Sequence, residues 1–272
     1  MGLIENRDAQ FMLLAGFIIG VGLVITTIML NSIIFESNMA IEDGSEISKN
    51  ELLGIVQITR DETRSAYINA TNSTGTNNDN IANFSKQVKS FIGNLSRISS
   101  LHGESVNLSW DLEKWNKNQY ANFTENGMAM GAANWTLVEG VRNTTIFEFN
   151  NVNVTDYFLI VVTNSSGSLW SMNITGSINV INKTGGSTNY IFNNYINVLN
   201  STYGFNTSTF NEIYAINFIH GSNSWGRFAM EGKNTQYSTY FTRSRDYILN
   251  STITFSTSRV RANITIPVSV PR

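Results

Sequence analysis

Phe11 to Leu30, FMLLAGFIIGVGLVITTIML, carries no charged residue, and the uncharged window runs from Ala9 to Phe35. A helix of about 20 residues rises roughly 30 Å, the thickness of the hydrocarbon core of a bilayer. A helix can cross lipid because it satisfies its own backbone hydrogen bonds. Thr26 and Thr27, the polar exceptions, can bond back to carbonyls one turn earlier. The competing reading is a buried core helix. Nothing else in the chain is apolar enough to enclose a helix that is hydrophobic all round. The stretch therefore predicts a transmembrane helix over 10–35, with the rest of the chain hung from it.

Charge sets the expected orientation. Arg7 and the amino group precede the stretch, whereas Glu36, Glu42, Asp43 and Glu46 follow it and no basic residue appears before Lys49. The positive-inside rule places the N-terminus in the cytoplasm and the bulk outside, as a single-pass protein of the cell membrane. The apolar run is too long for a secretory h-region and no A-x-A site follows it. Myristoylation is discounted, because Asn6 stands where that motif requires Ser or Thr.

Composition narrows the class. The formal net charge is -2 and only 14% of residues are charged. No basic surface is legible, so no nucleic-acid partner is expected. Asn, Ser and Thr supply the polarity instead. Cysteine is absent, which excludes disulfides, thiolate metal sites and cysteine nucleophiles.

After the apolar stretch, Leu52, Ile55, Val56, Thr59, Thr63, Ala66 and Tyr67 recur at helical spacing, so the helix is expected to continue as an amphipathic stalk. Asn69 to Asn80 reads as an exposed loop. Phe84, Val88, Phe91, Ile92, Leu95 and Ile98 then predict a second amphipathic helix, paired with the first as an antiparallel hairpin. From Val106 the period becomes two. Val106, Leu108 and Trp110 share one phase, and Phe147 and Phe149 another. Asp156 to Thr163 reads as a central strand buried on both faces. Ile213–Ile219 and Trp225–Met230 predict a hairpin around Gly221-Ser222-Asn223-Ser224. Val260, Ala262, Ile264, Ile266, Val268 and Val270 alternate strictly, with Pro267 marking an edge strand. The fold class is α+β: a long N-terminal transmembrane and stalk helix, a second amphipathic helix, then an antiparallel, sandwich-like β-rich head. Its divisions are a polar leader at 1–9, the membrane helix at 10–35, a helical stalk or hairpin at 36–104 and the β-rich extracellular domain at 105–272.

The order of a short polar leader, Arg7-Asp8-Ala9-Gln10 and a long apolar helix resembles archaeal type IV pilin-like precursors. Membrane-anchored archaeal surface proteins share this layout. The resemblance covers roughly the first 60 residues. It implies peptidase cleavage between Ala9 and Gln10 and retention of the apolar helix, which in that superfamily often builds a filament core. Asp8 stands where the archaeal pattern usually has a basic residue, with Arg7 one place earlier. Gly16-x-x-x-Gly20 is a small-residue face through which such helices pack. The implied partners are membrane lipid and further pilin-like subunits, including copies of this chain.

Sixteen Asn-x-Ser/Thr sequons occur, more than the Asn, Ser and Thr content alone produces. Asn72, Asn164, Asn173, Asn182 and Asn263 are named as candidate N-glycosylation sites, which agrees with an external location. No catalytic, cofactor or metal motif is legible. His102 and His220 lack ligand-spaced partners, Asp111 and Glu113 read as a solvated pair, and Gly127–Gly131 reads as a turn. Trp110, Trp115, Trp135, Trp170 and Trp225 read mainly as core, with a carbohydrate-stacking surface as the alternative. The expected function is that of a structural surface protein, not an enzyme, with no cofactor. The first rival is a non-polymerising single-pass surface protein whose head binds a partner or glycan. The second is a polysaccharide-active enzyme with dispersed carboxylates.

Overall fold

The computed structural model describes residues 49–72, 75–235, 239–257 and 261–271. The apolar stretch lies outside these residues, and with it Ala9, Gln10, Gly16 and Gly20. Among the described residues no helix is long and apolar enough to cross a membrane. The described fold is α+β with mostly antiparallel sheets.

Helix α1 spans Lys49–Thr71 and helix α2 spans Asn77–Leu101. On α1 the buried residues Ile55, Thr59, Thr63, Ala66, Tyr67 and Ala70 form one face. Thr59 and Thr63 are tolerated there because their hydroxyls donate to the carbonyls of Ile55 (2.7 Å) and Thr59 (2.6 Å). The loop is shorter than the expected 69–80, because its polar residues serve as helix ends. The Thr76 hydroxyl accepts from Asp79 N–H while the Asp79 carboxylate accepts from Thr76 N–H, so α2 starts with a capping box. Asn69 Nδ2 donates to Gln87 Oε1 at 3.4 Å across the resulting antiparallel hairpin.

The hairpin lies on a three-stranded antiparallel sheet ordered β1 (Ser105–Asp111), β11 (Tyr247–Ser256), β12 (Arg261–Val270). Phe84, Val88, Leu108, Ile253, Phe255 and Ile266 belong to one core with the inner face of α1. The one-turn helix α3 (Glu113–Asn116) adds Trp115, whose ring lies 4.8 Å from Tyr67 and 5.4 Å from Phe84. Helices near the start of the described chain and strands near its end thus share an interior. Pro267 lies on β12, an edge strand, as its missing N–H requires.

A nine-stranded sheet encloses the second core. Its strands are β2 (Trp135–Val154), β3 (Phe158–Asn164), β4 (Gly167–Ile174), β5 (Ser177–Ile181), β6 (Ser187–Ile191), β7 (Tyr195–Asn197), β8 (Tyr214–Ile219), β9 (Ser224–Asn234) and β10 (Tyr240–Arg245). The order is β10-β9-β2-β8-β3-β4-β5-β6, with β7 also on β2. β2 gives the sheet its shape. Trp135 pairs with Phe218 on β8, yet the Phe149 ring also lies 5.9 Å from the Phe218 ring. Fourteen extended residues would span about 46 Å, so β2 must bend back. Register shifts between Val138 and Val141, with Gly140 at φ +65°, provide the bend. A turn-and-helix segment after β7 ends in α4 (Phe205–Ser208), whose Phe205 packs against Trp170 and Phe147.

Two strand expectations change. β8 and β9 do not form a hairpin, because β2 lies between them and pairs with both. Their connection is held open by the passing segment 121–124. A Cβ on Gly221 would stand 2.2 Å from the Phe123 carbonyl oxygen, so only glycine fits. β3 is interior to the sheet but buries one face fully, through Phe158, Ile160 and Val162. Leu159 and Val161 on the other face are half-buried.

Candidate functional site

The two cores meet at Arg245-Asp246-Tyr247, where β10 of the large sheet runs directly into β11 of the small one. Each residue serves a different element. The Arg245 side chain is buried and its guanidinium donates to the carbonyls of Thr124 (2.5 Å), Glu125 (2.7 Å) and Asn122 (3.4 Å). The rigid planar fork of arginine suits several carbonyls at once. It fixes the segment before β2, including the turn at Gly127, whose φ of +76° and contact with Ile248 and Arg245 leave no room for a side chain. That segment in turn inserts Phe123, stacked on Phe158 at 4.6 Å, into the large core.

Asp246 is buried at the seam. Its Oδ2 accepts from the Tyr67 hydroxyl on α1 (2.7 Å) and from Arg227 Nη2 on β9 (3.0 Å). Its backbone N–H donates to Val270, and its carbonyl accepts from Ala121. Tyr247 faces the small core, and Tyr120 stacks on it at 4.8 Å. Above them opens a cleft of about 380 Å³ bordered by Asn77, Asn80, Trp115, Asn118, Tyr120 and Arg227, among others. A second hollow of about 460 Å³ adjoins it past Asn118 and Tyr120, bordered by Asn151, Asn153 and Trp225.

Electrostatics at the seam follow from burial and pairing. Burial, with the Asp246 charge and hydrogen bond added, pushes the Tyr67 phenol far above its usual range. Tyr247 is also raised, by burial first and then by Tyr120. At Arg227 burial works against the charge, but the Asp246 bond and charge overcome it, and its pKa rises. Burial alone lowers Arg245 to about 10. The tyrosines thus stay protonated donors and Arg227 stays a cation. The cleft offers amide, phenol and guanidinium groups, which can hydrogen-bond a polar ligand.

The residues singled out from sequence are dispersed. His102 caps the C-terminal end of α2. His220 stacks on Tyr157 at 4.2 Å. Asp111 accepts from Glu113 N–H, and Glu113 pairs with Lys117. Trp115 and Trp170 are fully buried and Trp110 Nε1 donates to Thr63, whereas Trp135 and Trp225 are half-buried and Trp225 borders the second hollow. Among the described residues no three His, Asp or Glu side chains gather as a metal site. None of the sixteen sequon asparagines is buried. Asn72, Asn182 and Asn263 are exposed, whereas Asn164 and Asn173 are half-buried. Asn164 Nδ2 donates to Glu212, which also pairs with Lys183. Asn173 Oδ1 is enclosed on β4 with no hydrogen-bond partner.

Sequence reasoning missed the Tyr67–Asp246–Arg227 cluster. Its members come from α1, β9 and the β10–β11 junction, and no spacing relates them. The one local signal is Arg243-Ser244-Arg245-Asp246, charges that interrupt an otherwise strand-like run. No protein-family model, no curated protein and no solved structure matches this chain.

Proposed function

We propose that this chain is a type IV pilin-like structural protein of the cell surface, held by its N-terminal apolar helix and displaying a glycosylated β-rich head outside. The observation that carries this reading is the place of α1. It begins shortly after the apolar stretch in sequence, and it is built into the small core instead of hanging as a tether. Its Tyr67 also reaches Asp246 at the seam. An apolar helix leading into a helix packed on an antiparallel sheet is a layout suited to carrying a head on an assembled helical core. The Gly16–Gly20 face would then pack neighbouring helices. The surface position of the sequons supports exposure to an external compartment.

Mass spectrometry of the mature protein tests the reading. Gln10 at the N-terminus, with filaments seen by electron microscopy, is the expected result. An intact leader and dispersed particles would sink it. The second reading, a solitary anchored protein whose head binds a partner or glycan, is favoured by the polar cleft at Tyr120, Asn118 and Arg227. It predicts that a soluble head retains ligands in a glycan array, and that Tyr120→Ala abolishes the retention.

A further inference from the structure

We propose that the end of the helical hairpin formed by the start of α1 and the finish of α2 rests on the lipid surface. The inference rests on the reading of Phe11–Leu30 as a membrane anchor and concerns the chain while that helix lies in the bilayer, before assembly. Four large apolar side chains on the two helices are exposed: Leu53, Ile58, Ile98 and Leu101. All four lie in the same half of the hairpin. The Asn69–Gln87 contact sets the pairing level, so that Ile58 stands opposite Ile98 and Leu101 is one turn nearer the start of α1. Among the described residues the opposite end exposes Asn72, Gly75, Thr76 and Asn78 and no large apolar side chain. Leu101 is 85% exposed and Ile98 58%, and both border a groove with Arg97. An apolar pair this open is unfavourable in water.

The tether says what covers it. Residues 36–48 link the apolar stretch to Lys49, the first residue of α1. They reach at most about 44 Å extended and about 20 Å as a helix. The apolar end is the end joined to the anchor by this tether, and the polar end lies a further helix length, about 34 Å, along α1. Ile98 and Leu101 would enter the boundary between headgroups and acyl chains, and Arg97 beside them would reach lipid phosphates. The head would then stand on the membrane in a fixed attitude.

The chain has no cysteine, so single labels can be placed cleanly. The full chain is reconstituted in phosphatidylcholine–phosphatidylglycerol vesicles containing nitroxide lipid, with a fluorophore at Leu101→Cys, Ile98→Cys, Asn72→Cys or Leu23→Cys. Quenching at 101 and 98 about twofold or more above that at 72 is expected for a site at the headgroup boundary. Quenching at 23 with none at 98 and 101 overturns the inference and leaves the anchor standing. No quenching at 23 overturns the anchor and the inference together. Copies that cross-link at position 101 without lipid quenching assign the patch to a second copy and overturn it. The sequon Asn94 borders the same groove. It should carry no glycan in the native protein, and a glycan there would also overturn the contact.

Discussion

Arg227 Nη2 donates to Asp246 Oδ2 at 3.0 Å, across the boundary between the nine-stranded and the three-stranded sheet. Tyr67 donates to the same oxygen from the helical layer. One carboxylate oxygen thereby joins a strand of the large sheet, a helix of the small core and the junction of the two sheets.

Removing that carboxylate leaves a buried phenol and a largely buried guanidinium unpaired. Asp246→Ala should lower unfolding stability by about 3 kcal/mol. Asp246→Asn keeps an acceptor for Tyr67 and should cost less. Urea denaturation of the folded protein, followed by tryptophan fluorescence, compares the two. Equal and negligible losses would show that the cluster does not hold the seam.

The same cluster sets an alkaline limit. A tyrosine whose folded pKa is raised contributes nothing adverse below its unfolded value near 10, and costs stability as pH climbs above it. Tyr67 and Tyr247 are both raised, so each loses about 1.4 kcal/mol per pH unit above pH 10. Arg245, lowered to about 10, works the other way from pH 10 up to its unfolded pKa. Two tyrosines outweigh one arginine, so stability should hold from pH 7 to 10 and fall beyond. Tyr67→Phe should flatten the fall in a pH series of melting temperatures.

Arg245 binds three carbonyls of the segment that delivers Phe123 to the large core. Arg245→Met retains the aliphatic stem but removes the guanidinium donors, leaving the Thr124 carbonyl only its bond from Gly127 N–H. Hydrogen exchange at 121–131 should accelerate while exchange at Ile253 and Ile264 stays slow. Arg245→Lys, which lacks the fork, should give an intermediate result. Unchanged exchange in that segment would contradict the assigned role.

Sequon geometry separates the asparagines. Asn182 and Asn200 are exposed, and each Oδ1 accepts from the hydroxyl of its own sequon threonine, at 2.8 Å from Thr184 and 2.7 Å from Thr202. Their Oδ1 atoms are held toward the chain at open surface turns. Asn173 sits between β3 and β5 with its Oδ1 enclosed. Glycopeptide mapping of protein from the native cell should find sugar at Asn182 and Asn200 and none at Asn173.

The elements legible in sequence are those whose signal is local. The alternation of Val260 to Val270 marks β12, and the Phe84, Val88, Phe91 and Leu95 spacing marks α2, because side-chain period alone identifies them. Thr76 and Asp79 extend α2 beyond the apolar positions, a capping signal hidden within a run that otherwise reads as loop. The supposed β8–β9 hairpin failed for the opposite reason. Turn residues at 221–224 say that the chain reverses, but not that β2 arrives from 60 or more residues away to separate the two strands. Tyr67, Arg227 and Asp246 escaped for the same reason, since their meeting depends on tertiary placement and carries no spacing.

The packing of α1 against β11 and β12 gives the head a mechanical character. Arg64 Nε donates to the Ser269 carbonyl at 3.2 Å, and the Thr63 and Ser251 hydroxyls stand 3.5 Å apart. Tension entering at Lys49 would load not only α2, the hairpin partner next in the chain, but also elements far from it in sequence. It would pass sideways into strands almost 200 residues on, and from there along the continuous backbone at Asp246 into the nine-stranded sheet. A head loaded in this way shares strain between the helical hairpin and several ladders at once.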